Sequence, residues 1–164
     1  MIQAEASNRT LQDLHNARSR LIDAFGDVEL ELVRLLSISD KKIRLAPLSQ
    51  KIAAVRKIEA SPRYSRKQRA DVAEALDLLE PLLPRRAEVA HSSMSVVRIE
   101  KDEMLAGFCN PAAAASHGRT LQVYTLEQLT RFTKEVRDIA ARLRAATSPP
   151  CAQRPPSPVA AVDP

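Results

Sequence analysis

The chain has 164 residues, carries 25 Lys+Arg against 20 Asp+Glu, and has a net charge of +5. That is the length of one domain, and 45% apolar residues are enough for a packed core, which excludes a fully disordered chain. Aromatics at 3% and only three glycines argue against sandwiches, barrels and dinucleotide-binding folds, whereas abundant Leu, Ala, Arg and Glu favour helices.

The first predicted helix runs from about Thr10 to Ser37. Leu11, Leu14, Arg18, Leu21, Phe25, Val28, Leu32 and Leu35 step by three or four residues. All but Arg18 are apolar, so one buried stripe is expected. Gly26 weakens its middle. A second helix is predicted from about Pro47 to Glu59, with Ile52, Val55 and Ile58 on its apolar face and Ser61-Pro62 as its stop. A third begins near Ser65 and shows Val72, Leu76 and Leu79. Pro81 and Pro84 then break or kink the pattern, because proline removes a hydrogen bond and clashes with the preceding turn. A fourth helix continues through Arg85, Arg86, Val89, Ala90 and His91.

From Ser95 the helical rhythm is lost. Val96, Val97 and Ile99, then Met104, Leu105 and Phe108, suggest a hairpin. Residues 109–120 read as a loop, and Leu121 to Tyr124 as a short strand. The last helix opens on a capping box, Thr125-x-x-Gln128, and carries Leu129, Phe132, Val136, Ile139 and Leu143 at helical spacing. The proline-rich end favours extended, unpacked chain. The expected architecture is all-α: an antiparallel bundle of four to five helices over residues 1–146. A small β-hairpin or irregular insertion precedes the last helix, and residues 147–164 form a disordered tail.

Cys109 and Cys151 lie far apart and offer neither a disulfide framework nor a metal-knuckle spacing. The N-terminus lacks the apolar core of a signal peptide, and no stretch approaches the roughly 20 apolar residues of a membrane helix. A cytoplasmic protein with no membrane association is expected. His15, His91 and His117 are scattered without ligand spacing, so no metal and no cofactor are expected. No phosphate loop is present. Asp71, Glu74 and Asp77 make an acidic stripe most simply read as helix surface. Ser92, Ser93 and Ser95 have no aspartate placed to complete a triad.

Charge is uneven. Residues 41–69 hold ten Lys/Arg against Glu59 alone, a local balance of +9. Lys51, Arg56, Lys57, Arg63, Arg66 and Lys67 are the candidate nucleic-acid contacts, since clustered cations attract a polyanion without reading its sequence. The alternative is a solvated helix face. Tyr64 is the only aromatic there, which gives no stacking platform.

The segment Pro84 to Met94 reads PRRAEVAHSSM. Arg86-Ala87-Glu88-Val89-Ala90-His91-Ser92 resembles the R-x4-H motif of HEPN domains (higher eukaryotes and prokaryotes nucleotide-binding). The preceding helices, the irregular insertion and the final helix resemble that family too. The resemblance implies a helical, usually dimeric bundle. Many members are metal-independent ribonucleases of defence or toxin–antitoxin systems; others bind only partners or nucleotides. It therefore implies RNA as substrate, a homodimer, and a cognate antitoxin protein as a candidate partner. His91 would be the general acid/base and Arg86 the phosphate clamp. Arg85, Glu88 and Ser92 are the accessory candidates. Arg86 and His91 differ by about 140° around a helix, so the arginine must reach round or the nearby prolines must distort the turn. Ala87 stands where many members carry a polar residue, which leaves an inactive RNA-binding or protein-interaction module as the alternative.

Overall fold

The computed structural model describes residues 2–38, 46–99, 104–109 and 121–148, with side chains from Thr10 onward. Helix α1 spans Ile2–Ile38, α2 Leu48–Arg56, α3 Arg66–Leu79, α4 Leu83–His91 and α5 Leu126–Thr147. Strands β1 (Ser93–Arg98), β2 (Met104–Cys109) and β3 (Leu121–Tyr124) precede α5. A 3₁₀ turn at Glu80–Leu82 links α3 to α4. The backbone stays right-handed helical through Leu79, Glu80, Leu82 and Leu83, so α3 and α4 form one interrupted rod and the helices of the described residues make four rods. Pro81 lies within the turn and Pro84 in the first turn of α4, where a missing N–H is tolerated.

The apolar stripes behave as their spacing requires. Leu14, Leu21, Phe25, Val28, Leu32 and Leu35 of α1 are buried, as are Leu129, Phe132, Val136, Ile139 and Leu143 of α5. Leu11 and Leu126, at the outer ends of these stripes, are exposed. Helix α2 is shorter than its apolar pattern suggests, and Pro47 stands before it rather than inside it. Two capping boxes start helices: Thr125 with Gln128, and Ser65 with Gln68.

The expected hairpin is present and the expected short strand joins it, giving a three-stranded antiparallel sheet in the order β1-β2-β3. One expectation needs correction. The helices are not uniformly antiparallel. Asp13, Asn16 and Arg20 of α1 border the same groove as Thr130, Lys134 and Arg137 of α5, and Glu31 meets Arg144 further along both helices. Helices α1 and α5 therefore run parallel. The α3–α4 rod runs against both: Glu74 reaches Arg142, while Glu88, further on, reaches Tyr124 just before α5. The sheet carries the chain back to the end where α1 lies near its own start.

The inner face of the sheet packs on the helices through Ala106 and Phe108. Phe108, Tyr124 and Phe132 form a ring series with centroids 5.9 and 5.7 Å apart. No helix among the described residues is long and apolar enough to cross a membrane. The proposed loop falls mostly on residues 110–120 and the tail on 149–164, both outside the described residues; Thr147 ends α5.

Gly26 sits in the middle of α1, exposed, and a Cβ there would meet nothing within 4 Å. Its helical cost is therefore not compensated by packing. Gly26→Ala is expected to stabilise the fold by about 0.5–1 kcal/mol, read as a higher urea midpoint at constant m-value. A lower midpoint would contradict this.

Candidate functional site

Helix α4 distributes the motif side chains around its circumference. The Arg85 guanidinium lies 4.2 Å from the Phe132 ring centroid, a cation–π contact on the α5 side. Arg86 faces α1 and lines a cleft with Leu21, Ile22, Phe25, Gly26, Glu29, Val89 and Ala90. Glu88 accepts a 2.6 Å hydrogen bond from the Tyr124 hydroxyl, which engages that oxygen elsewhere than the imidazole. His91, the last residue of α4, is exposed and has no hydrogen bond or ion pair among the described residues. It does not line the Arg86 cleft. The five-residue offset keeps the two on different faces, and the prolines, lying before the motif, do not bring them together.

Ser92 is buried, and its Oγ has no partner among the described residues. Its backbone is well used. The Ser92 N–H donates to the Glu88 carbonyl at 3.0 Å, and its carbonyl accepts from Arg18 Nη2 at 3.0 Å. Arg18 Nε donates to the Val89 carbonyl at 3.1 Å. The same guanidinium lies 5.9 Å from the Phe108 ring centroid. Arg18 thus caps the C-terminal end of α4, where carbonyls lack helical partners and a cation complements the dipole. In the sequence Arg18 stands out only as the exception in an apolar stripe. That exception was the signal: a cation on a core face needs buried acceptors.

The candidate nucleic-acid contacts separate into two groups. Lys51 is buried and ion-paired with Glu29, so it is withdrawn from any surface ligand. Arg56 binds Asp77 at 2.6 Å and Glu80 at 2.8 Å. Lys57, Arg63, Arg66 and Lys67 are exposed, as is Arg69, and none of the five forms an ion pair among the described residues. Lys41, Lys42 and Arg44 lie outside the described residues.

Local structure displays the free cations. Ser61 and Tyr64 exchange backbone hydrogen bonds of 2.8 and 2.9 Å, closing a tight turn with Pro62 and Arg63 at its tip. Buried Tyr64 anchors that turn. Arg66, Lys67 and Arg69 then fall at the start of α3, whose first turn holds no acid. Cations are disfavoured at that positive end of the helix dipole. Of the acidic stripe, Asp77 is spent on Arg56 and Glu74 on Arg142, and no group of residues that could hold a metal occurs among the described residues.

No family model, no characterised protein and no solved structure matches the chain.

Replacing Arg18 by Met strips two charge-assisted hydrogen bonds from buried carbonyls. A stability loss of about 2–3 kcal/mol is expected in urea unfolding; a loss below about 0.5 kcal/mol, the size of an ordinary surface change, would contradict the capping role. Tyr124 gives a pH test. Burial raises its phenol pKa above the ordinary 10.0, the bond to Glu88 and that carboxylate's charge add to the rise, and Arg85 opposes it. The fold favours the neutral phenol. Its contribution is therefore complete below pH 10 and is lost as pH climbs from there towards the raised folded value. Tyr124→Phe is expected to flatten the alkaline fall in stability; an unchanged slope would overturn the assignment.

Proposed function

We propose that the chain is a helical module that binds RNA through the phosphate backbone, along the edge formed by the end of α2, the Ser61–Tyr64 turn and the start of α3. One observation carries this reading: Lys57, Arg63, Arg66, Lys67 and Arg69 are exposed within thirteen residues of sequence and form no ion pair among the described residues, while Lys51 and Arg56 beside them are neutralised. Cations left free at the dipole-disfavoured end of a helix are stabilised by an external polyanion. Tyr64 is buried, so recognition rests on charge and not on base stacking.

Fluorescence anisotropy with a labelled single-stranded RNA tests this. Affinity is expected to fall with salt at a log–log slope of between about −2 and −4, the range for three to five phosphate contacts. Combining Arg63→Ala, Arg66→Ala and Lys67→Ala is expected to weaken binding at least about tenfold. Absence of binding at low salt, or binding indifferent to the triple change, would refute the proposal.

A second reading is favoured by the exposed, unpartnered imidazole of His91. In a HEPN-like metal-independent ribonuclease, His91 would transfer protons to and from an RNA 2′-hydroxyl and leaving oxygen. Arg86 would hold the phosphate, with a second copy completing the site because His91 does not line the Arg86 cleft. RNA cleavage in EDTA that disappears in His91→Ala supports this reading. Cleavage that persists in the variant, or no cleavage by either protein, removes it.

A further inference from the structure

The cleft between α1 and α4 is independent of the RNA-binding edge and has its own chemistry. Its floor and walls are Leu21, Ile22, Phe25, Val89 and Ala90, with a volume of about 140 Å³. An apolar cavity near that size accepts a benzene-sized guest. Gly26 forms part of its lining, and the space where its Cβ would stand is open. No packing contact requires glycine at that position. A large side chain at that position of α1 would have open space in which to extend over the cleft. A helix that gives up propensity at an exposed position without a structural return marks a place to look for function.

The rim supplies charge. Glu29 lies there but is ion-paired with Lys51. Arg86 lies there half-buried, with no hydrogen bond or ion pair among the described residues. An apolar pocket with one uncommitted guanidinium matches a small aliphatic carboxylate: the chain in the cleft, the carboxylate on the arginine. We propose that this cleft binds a branched aliphatic carboxylate of about five or six carbons, with Arg86 as its anion contact and Gly26 as the residue that admits it.

The test uses the full chain and 4-methylpentanoate as probe, followed by methyl NMR, with the uncharged 4-methylpentanamide as comparison. The carboxylate is expected to shift the methyl signals of Leu21, Ile22 and Val89 saturably, and the amide to bind about tenfold more weakly. Arg86→Gln should erase the preference for carboxylate over amide. Gly26→Leu should abolish binding of both, and its melting temperature should not fall, because the added side chain meets open space and improves helix propensity. Shifts absent at those methyls, equal binding of the two probes by the unaltered chain, or full binding by Gly26→Leu would each overturn the proposal. Since none of these readouts uses RNA, failure here leaves the nucleic-acid reading untouched.

Discussion

The grip of Arg18 on the end of α4 is the contact on which the arrangement of the motif depends. One guanidinium from the core stripe of α1 holds the carbonyls of Val89 and Ser92 and lies over Phe108 of the sheet. It ties together three parts of the chain at the point where helix gives way to strand. A helix end buried without such partners would be costly. With α4 held in this orientation, Arg86 falls towards α1, Arg85 towards Phe132 of α5, and Glu88 towards Tyr124. His91 is left facing water. The motif side chains diverge: Arg85 and Glu88 are each held by a neighbour, while Arg86 lines the cleft with no bonded partner among the described residues.

The same economy governs the charged residues elsewhere. Buried ionic groups must be paired to remain charged, and the fold recruits partners from distant sequence to do so. Glu31 is fully buried, and its Oε1 accepts from both Arg34 and Arg144 at 2.8 Å. Its Oε2 has no partner among the described residues. Lys51 takes Glu29, and Arg56 takes Asp77 and Glu80. Cations that pack against α1 and α3 are thus consumed. Those carried by the Ser61–Tyr64 turn and the first turn of α3 form no ion pair among the described residues, and they lie close together in sequence.

Much of the fold was legible in residue order because helix periodicity and capping are local. The stripe from Leu14 to Leu35, the Thr125–Gln128 box and the prolines at 81 and 84 each specify an element within a few residues. Ser65 and Gln68 carry the same capping signal as Thr125 and Gln128. What periodicity does not encode is which neighbour a face meets or in which direction. Hence the parallel pairing of α1 with α5, made possible by the intervening sheet, was not evident. The candidate site suffered from the same gap. A count of charges over residues 41–69 treats Lys51 and Arg56 like Arg63, yet their acids come from 21 to 24 residues away. The R-x4-H spacing was visible, but not that Tyr124 would engage Glu88 or that Arg18 would fix the helix between them.

On the proposed reading the cations of residues 57–69, and not the motif helix, form the surface that meets nucleic acid. Hydrogen–deuterium exchange with and without a saturating single-stranded RNA tests it most directly. Slowed exchange confined to the peptides spanning residues 57–69 is expected, with α4 and the start of β1 unaffected. Slowing centred on residues 85–92, with 57–69 unchanged, would contradict it.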